Sequence, residues 1–299
     1  MKKMLISLIL CMFLAGMFSG IIVSTDEDET ELVTKYYKDK RPFFPVYTEK
    51  GVEWVANEPD DLVPKEKPDK PGKPPKPPKP PEYNDPPDGV LEKYALCIGI
   101  SDYEGIGSDL TYPDKDAMDW KNFLASKGYT VKVLTNGQAT AAGIETEIDA
   151  LLAKEDGDDY VVFTYSGHGT KVKRYGSSMV SYNFWGLTHG WFKAKFEQAD
   201  AEQIFFTFDA CVIGGFQDSV TDGRVGAFAS NRKDSYDGIG SMTNGVFTYY
   251  QLEGWGNGLL TFEDDSDYAV QGMKAWASQY IGLSVDPFYK DSFTGDMFP

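Results

Sequence analysis

The chain has 299 residues, 41% of them hydrophobic and 14% aromatic, enough for one good-sized domain with a real core plus additional segments. Its formal net charge of −17 gives a surface that repels phosphate backbones, which argues against nucleic acid as a partner. Three cysteines, Cys11, Cys97 and Cys211, are too few for a disulfide-stapled secreted scaffold.

In chain order, Met1-Lys2-Lys3 precedes an uncharged apolar run over residues 4–23. A basic start and an apolar run read as an export signal, and a run of about 20 residues also suits a membrane anchor. The acidic residues 26–29 are a poor cytoplasmic flank, so the remainder is expected to be exported, extracellular or displayed at the cell surface. Residues 24–63 are polar with scattered aromatics and no sustained period, and read as a propeptide or stalk. Residues 64–90 are rich in proline and lysine. Proline fixes φ and lacks an N–H, so this stretch reads as an extended polyproline II linker, the alternative being a ligand for a proline-binding module. A domain is expected over residues 91–282, followed by a C-terminal tail at 283–299.

Within that domain strands and helices alternate. Strands are predicted over 93–101, 129–134, 160–165, 203–208 and 225–229. Helices are predicted over 114–127, with Asp114 as cap, and over 141–154, with Ile144, Ile148 and Leu151 on one face. A short helix capped by Thr188 runs to 198, and helices at 245–254 and 266–282 follow. Short apolar strands without alternation, separated by helices, imply an α/β fold whose mostly parallel central sheet is covered by helices on both faces.

Two loops carry the chemistry. Ser166-Gly167-His168-Gly169-Thr170 follows the third strand, and Asp209-Ala210-Cys211-Val212-Ile213-Gly214-Gly215 follows the fourth. In open α/β sheets, functional groups gather where strands reach their carboxyl ends. A thiol becomes a nucleophile as the thiolate, and a neighbouring histidine can take its proton. Attack on a carbonyl builds an oxyanion that needs aimed N–H donors, for which the backbone of Gly169 and Cys211 are candidates. A lone histidine or strand-end cysteine is more often structural; the pair on successive strand ends points to catalysis. Cys97, inside an apolar run, reads as a buried small hydrophobe, and His189 as a surface or capping residue. No set of histidines and cysteines remains for zinc.

Tyr165-Ser166-Gly167-His168-Gly169 and Phe208-Asp209-Ala210-Cys211 with Gly214 resemble the two catalytic motifs of the caspase and metacaspase group of cysteine peptidases (peptidase C14, clan CD). The run from Tyr94 to Tyr103, Asp114-Lys115-Asp116-Ala117 and Gly245-Val246-Phe247-Thr248 are similar to further segments of that group. The resemblance covers about residues 91–282. It implies a caspase–haemoglobinase-like three-layer sandwich and a cysteine-type endopeptidase with a Cys211/His168 dyad acting through a thioester acyl-enzyme. It also implies a substrate S1 pocket of Asp116, Ser166 and Asp209, suited to a polypeptide with Arg or Lys at P1. The Gln-Ala-Cys-Arg-Gly signature of animal caspases is absent, which argues against cleavage after Asp.

No cofactor is expected to be required. Asp218 is a weak candidate calcium ligand, but the acidic calcium-binding pattern of metacaspases is missing, and Asp264-Asp265-Ser266-Asp267 reads as a solvated acidic turn rather than an oxygen cage. Self-cleavage is expected near Lys171-Val172-Lys173-Arg174 or in the lysine-rich linker. The rival reading is a non-catalytic caspase-like binding module displayed on a proline-rich stalk.

Overall fold

The structure is a computed structural model that describes residues 33–38, 43–56, 86–105 and 107–299. The apolar run at 4–23 and the linker from 64 to 85 lie outside the described residues. Among the described residues no helix is long and apolar enough to cross a membrane.

The centre is a six-stranded sheet. In chain order its strands are β3 (Lys93–Gly99), β4 (Thr130–Thr135), β5 (Tyr160–Ser166), β9 (Gln203–Asp209), β10 (Arg224–Phe228) and β11 (Phe288–Asp291). Their spatial order is β11-β10-β9-β5-β3-β4, with every pair parallel except β10·β11. The chain leaves β3 towards β4 on one side and returns as β5 on the other, so the order reverses next to β5. Strand period fixes which side chains face which layer. From β3, Leu96 and Ile98 enter one core with Phe163, Phe206 and Phe208, while Ala95 and Cys97 enter the other with Val162 and Phe205.

Helices cover both faces. On the Cys97 side lie α1 (Pro113–Ser126), α4 (Val246–Gly256) and α5 (Phe262–Trp276), which contribute Trp120, Leu124, Phe247, Met273 and Trp276. On the other side lie α2 (Ala141–Leu152) and α3 (His189–Phe196), which contribute Ile144, Ile148, Phe192 and Phe196. Each fully buried Phe of this kind stabilises by roughly 1.5–3 kcal/mol, and both layers are needed because neither face of a parallel sheet tolerates water. This is the expected three-layer α/β sandwich.

Helix starts follow local chemistry. Thr188 caps α3 through its side chain (Trp191 N–H, 3.2 Å), as read from the sequence, and Thr261 caps α5. The acidic residues near 264 form the first turn of α5, where carboxylates favour the positive end of the helix dipole. Asp114 does not cap α1. The N-cap is Tyr112, Pro113 opens the helix, and the Asp114 carboxylate takes the Ser101 hydroxyl at 2.7 Å.

A second sheet was not expected. It has the order β2-β1-β8-β7-β6, built from β1 (Phe43–Thr48), β2 (Gly51–Ala56), β6 (Gly169–Val172), β7 (Gly176–Val180) and β8 (Gly186–Thr188). β6 begins directly after His168. The expected cleavage run 171–174 therefore lies in the paired β6–β7 hairpin.

Residues expected outside the domain pack into it. β1 pairs parallel with β8 through Val46↔Gly186 and Tyr47↔Leu187. At the other end β11 extends the central sheet, Met297 is buried, and the Phe262 N–H bonds the Met297 carbonyl. The described residues belong to one compact unit.

Candidate active site

Ser166 and Asp209 are paired neighbours at the carboxyl ends of β5 and β9. The loops that follow, carrying His168 and Cys211, therefore start side by side. Gly169 brings them closer still, since a Cβ there would overlap the Cys211 carbonyl oxygen. Immediately after the cysteine, Val212 takes φ 47°, rare for a β-branched residue. The turn is held by its N–H, which bonds Ser230 Oγ at 2.7 Å and the Lys233 carbonyl at 3.0 Å.

His168 is clamped from several sides. Its backbone N–H donates to Tyr103 Oη at 2.7 Å, and its carbonyl accepts from Tyr165 Oη at 2.7 Å. The Tyr103 ring lies 4.7 Å from the imidazole. Nε2 sits 2.7 Å from the Ser108 carbonyl, an acceptor only, so Nε2 carries the proton. Nδ1 is left as the basic nitrogen; it is buried and makes no hydrogen bond. Burial lowers the imidazole pKa below its usual value, against the opposing pull of the Ser108 and Lys35 carbonyls.

Cys211 is fully buried. Its Sγ accepts the Ser235 N–H at 3.0 Å, and lies 3.4 Å from the Ser235 carbonyl and 3.6 Å from Thr34 Oγ1. Burial pushes the thiol up to about 12, despite the lowering effect of the Ser235 and Thr34 contacts. Cys97, the other buried thiol, lies inside the core on β3.

The three residues assigned to S1 converge. Asp116 Oδ2 accepts from Ser166 Oγ at 2.6 Å, and Asp116 Oδ1 accepts from the Gly245 N–H and Asn244 Nδ2, each at 3.0 Å. Asp209 accepts Ser235 Oγ on Oδ1 (2.8 Å) and both the N–H and the hydroxyl of Thr248 on Oδ2 (3.1 and 3.0 Å). Asp237, which sequence reading did not single out, completes the set and is held by the Thr111 N–H at 2.6 Å.

The pocket is filled by Lys35 from the segment 33–38. Its side chain is fully buried, with Nζ 3.0 Å from Asp209 Oδ1 and 3.7 Å from both Asp116 Oδ2 and Asp237 Oδ1. Ser166 Oγ lies 3.1 Å from the same nitrogen. A Cβ on Gly245 would overlap the ammonium, so the glycine backbone forms the floor. Burial alone would lower the lysine pKa; the charges of Asp209, Asp116 and Asp237 outweigh it and raise the value. Burial likewise raises Asp116 to about 7, with Lys35 opposing.

The backbone of Lys35 is held as well. Its N–H donates to the Ser235 carbonyl at 3.0 Å, and its carbonyl accepts the Gly169 N–H at 2.8 Å. Gly245 lies in the Gly245–Thr248 segment noted in the sequence, but Lys35, Asp237, Ser235 and Ser108 carry no local signature. Lys35 sits in an aperiodic polar stretch, and the others lie in loops whose role depends on what they approach.

Asp218 does not face other carboxylates. It sits 3.4 Å from His189 Nδ1 and is exposed, which does not fit a calcium cage of several oxygens. The group of carboxylates among the described residues that could hold an ion is Asp88, Asp156 and Asp158. It lies before β5, at the opposite end of the sheet from Cys211, and its oxygens accept the backbone N–H groups of Val90, Asp88 and Asp158.

Comparison with known proteins agrees with this geometry. The family profile described as the caspase domain (peptidase C14) matches residues 92–253, more than half of the chain. No curated protein matches. Among solved structures, the crystal structure of protein GSU0716 from Geobacter sulfurreducens is similar at a TM-score of 0.54 and 18% identity, covering 69% of this chain and 95% of that one. That likeness concerns the fold. The profile match places the chain in the caspase-domain family.

Proposed function

We propose that the chain is a cysteine-type endopeptidase that cuts after a basic residue, with lysine preferred to arginine. The observation that supports it most is the meeting of three buried carboxylates, Asp116, Asp209 and Asp237, around one ammonium beside the Cys211 thiol. A lysine presents three donors from a point charge. Here Ser166 Oγ, Asp209 Oδ1 and the Asp209 carbonyl lie 3.1, 3.0 and 3.5 Å from that point. With Gly245 closing the floor, the longer planar fork of arginine fits less well.

In this reading Cys211 Sγ attacks the carbonyl carbon of the lysine itself and passes its proton to His168 Nδ1. The Gly169 N–H stabilises the oxyanion, with the Cys211 N–H as the second donor. His168 returns the proton to the departing amine, and water then hydrolyses the thioester. Ser108 is a positioning residue, because its carbonyl selects the tautomer that leaves Nδ1 basic. No metal enters this chemistry, and activity is expected to persist in EDTA. The basic start and the apolar run at 4–23 support a reaction outside the cytoplasm.

The test is hydrolysis of peptides differing only at P1. Cleavage after Lys, weaker after Arg and none after Asp, lost in Cys211→Ala and His168→Ala, is expected. Wild type no more active than Cys211→Ala on every peptide would refute it and leave the non-catalytic binding module.

A further inference from the structure

We infer that residues 33–38 are a built-in substrate strand, and that Lys35–Tyr36 is the bond this protein cuts in its own chain. The inference rests on the peptidase reading above and adds its regulation.

The segment lies in the cleft as a substrate would. It adds an antiparallel edge to the loop after β10, with Lys35 N–H to the Ser235 carbonyl and Asp237 N–H to the Val33 carbonyl, both 3.0 Å. On the other side it runs parallel to Gly169, which donates its N–H to the Lys35 carbonyl at 2.8 Å and accepts the Tyr37 N–H at 3.0 Å. Strand addition of this kind reads backbone for affinity and alternate side chains for specificity. The alternation is present: Thr34 and Tyr36 are exposed and Lys35 is buried between them. Side chain, N–H and carbonyl of one residue are thus held at once, by the acidic pocket, by Ser235 and by the Gly169 N–H.

The same contacts silence the site. Thr34 Oγ1 lies against Sγ, the Tyr37 ring sits 5.7 Å from the His168 ring, and no second lysine can enter while Lys35 fills the pocket. The strand is tethered, since only residues 39–42 separate Lys38 from β1. An occupant on so short a tether acts at an effective concentration on the order of millimolar or above.

Scission breaks that tether. Cys211 Sγ bonds to the Lys35 carbonyl carbon, the Lys35–Tyr36 C–N bond breaks, and the thiol proton leaves on the Tyr36 amine by way of His168. Water then adds to the thioester, yielding the Lys35 carboxylate and restoring the thiol. Residues 36 onward stay attached through β1, whereas residues 1–35 become a separate chain that can leave the pocket. They carry with them the apolar run at 4–23, so the cut also parts the domain from its N-terminal segment.

The test uses the full chain as wild type, Cys211→Ala, Lys35→Ala and Tyr36→Pro, followed by intact mass, N-terminal sequencing and hydrolysis of an added lysyl peptide. Proline at 36 blocks the scissile bond but disturbs neither bond to Gly169, which use the Lys35 carbonyl and the Tyr37 N–H. Wild type is expected to yield a new N-terminus at Tyr36 and to hydrolyse the peptide after a lag. Cys211→Ala stays whole. Tyr36→Pro stays whole and is at least about tenfold slower on the peptide, because Lys35 remains seated. Lys35→Ala shows no lag; should its loss leave the three carboxylates unpaired and prevent folding, Tyr36→Pro carries the decision. Cutting of Cys211→Ala at the same bond, cutting of wild type only elsewhere, or full initial activity with Lys35–Tyr36 intact would each overturn the inference while the peptidase reading stands. A Cys211-dependent cut without hydrolysis of the added peptide would overturn the regulatory step alone, and no hydrolysis of the added peptide together with no cut would overturn both.

Discussion

Replacing Asp209 by Asn keeps the shape of the pocket and changes one charge. Asp209 Oδ1 is the nearest carboxylate oxygen to the Lys35 ammonium, 3.0 Å against 3.7 Å for Asp116 and Asp237. At an effective dielectric of about 20 a unit pair at that distance attracts by about 5 kcal/mol. Part of this is retained, because an Asn oxygen still accepts a hydrogen bond and two carboxylates remain; a charged hydrogen bond contributes about 1.5–3 kcal/mol net. The expected loss in kcat/KM for a lysyl peptide is therefore about 10- to 150-fold. The assay compares lysyl and norleucyl peptides, which share a chain length but differ in the cation. The norleucyl peptide subtracts any general damage from the altered contacts to Ser235 and Thr248. Equal losses on both peptides would refute the argument. Asp237→Asn and Asp116→Asn are expected to cost less at pH 7, the second because Asp116, raised to about 7, carries only part of its charge there.

Three further outcomes follow from the same geometry. The lysyl-to-norleucyl ratio of kcat/KM should fall as pH drops through about 7: an Asp116 raised to about 7 is protonated below that point and no longer attracts the ammonium that Asp209 and Asp237 also face. His168, lowered below its usual value, stays neutral through that range, so the norleucyl peptide alone should not show this limb; an identical limb on both would contradict the assignment. Gly169→Ala should reduce kcat by at least about 100-fold, because its Cβ would overlap the Cys211 carbonyl and push the Gly169 N–H off the oxyanion position, whereas unchanged kcat would show that the loops are not pressed together. Asp265, buried on α5 with neither oxygen hydrogen-bonded, has its pKa raised by burial. The folded state then holds that proton more tightly than the unfolded chain, so its contribution is intact below about 4 and stability is lost as pH rises. Asp265→Asn should stabilise by about 1–3 kcal/mol at pH 8 and flatten this dependence in denaturant titrations, and a loss of stability would count against it.

Five of the six strands of the central sheet were legible as short apolar runs, because the sheet is covered on both faces, whereas β11, a half-exposed edge strand in the expected tail, was not. The 203–208 run and the observed Gln203–Asp209 differ by one residue. Helices were legible through caps and one-sided periodicity, as at Thr188 and Ile144–Ile148. The second sheet was not. β6 and β7 carry Thr170, Lys171, Ser177 and Ser178, residues that any turn accepts, and β1 reaches its partner β8 only after more than a hundred intervening residues.

Locally, residue types and strand ends sufficed to bring His168 and Cys211 to one edge of the sheet, because consecutive buried strands leave their following loops on one side. Ser166, Asp209 and Asp116 came with the resemblance that those loops carry. The identity of the third carboxylate, the orienting Ser108 carbonyl and the occupant of the pocket were decided by tertiary structure alone. Each depends on a loop or strand arriving from far along the chain. A lysine in a polar stretch of sequence looks solvated, and only the folded arrangement, with three carboxylates converging on it away from water, gives Lys35 its place in the site.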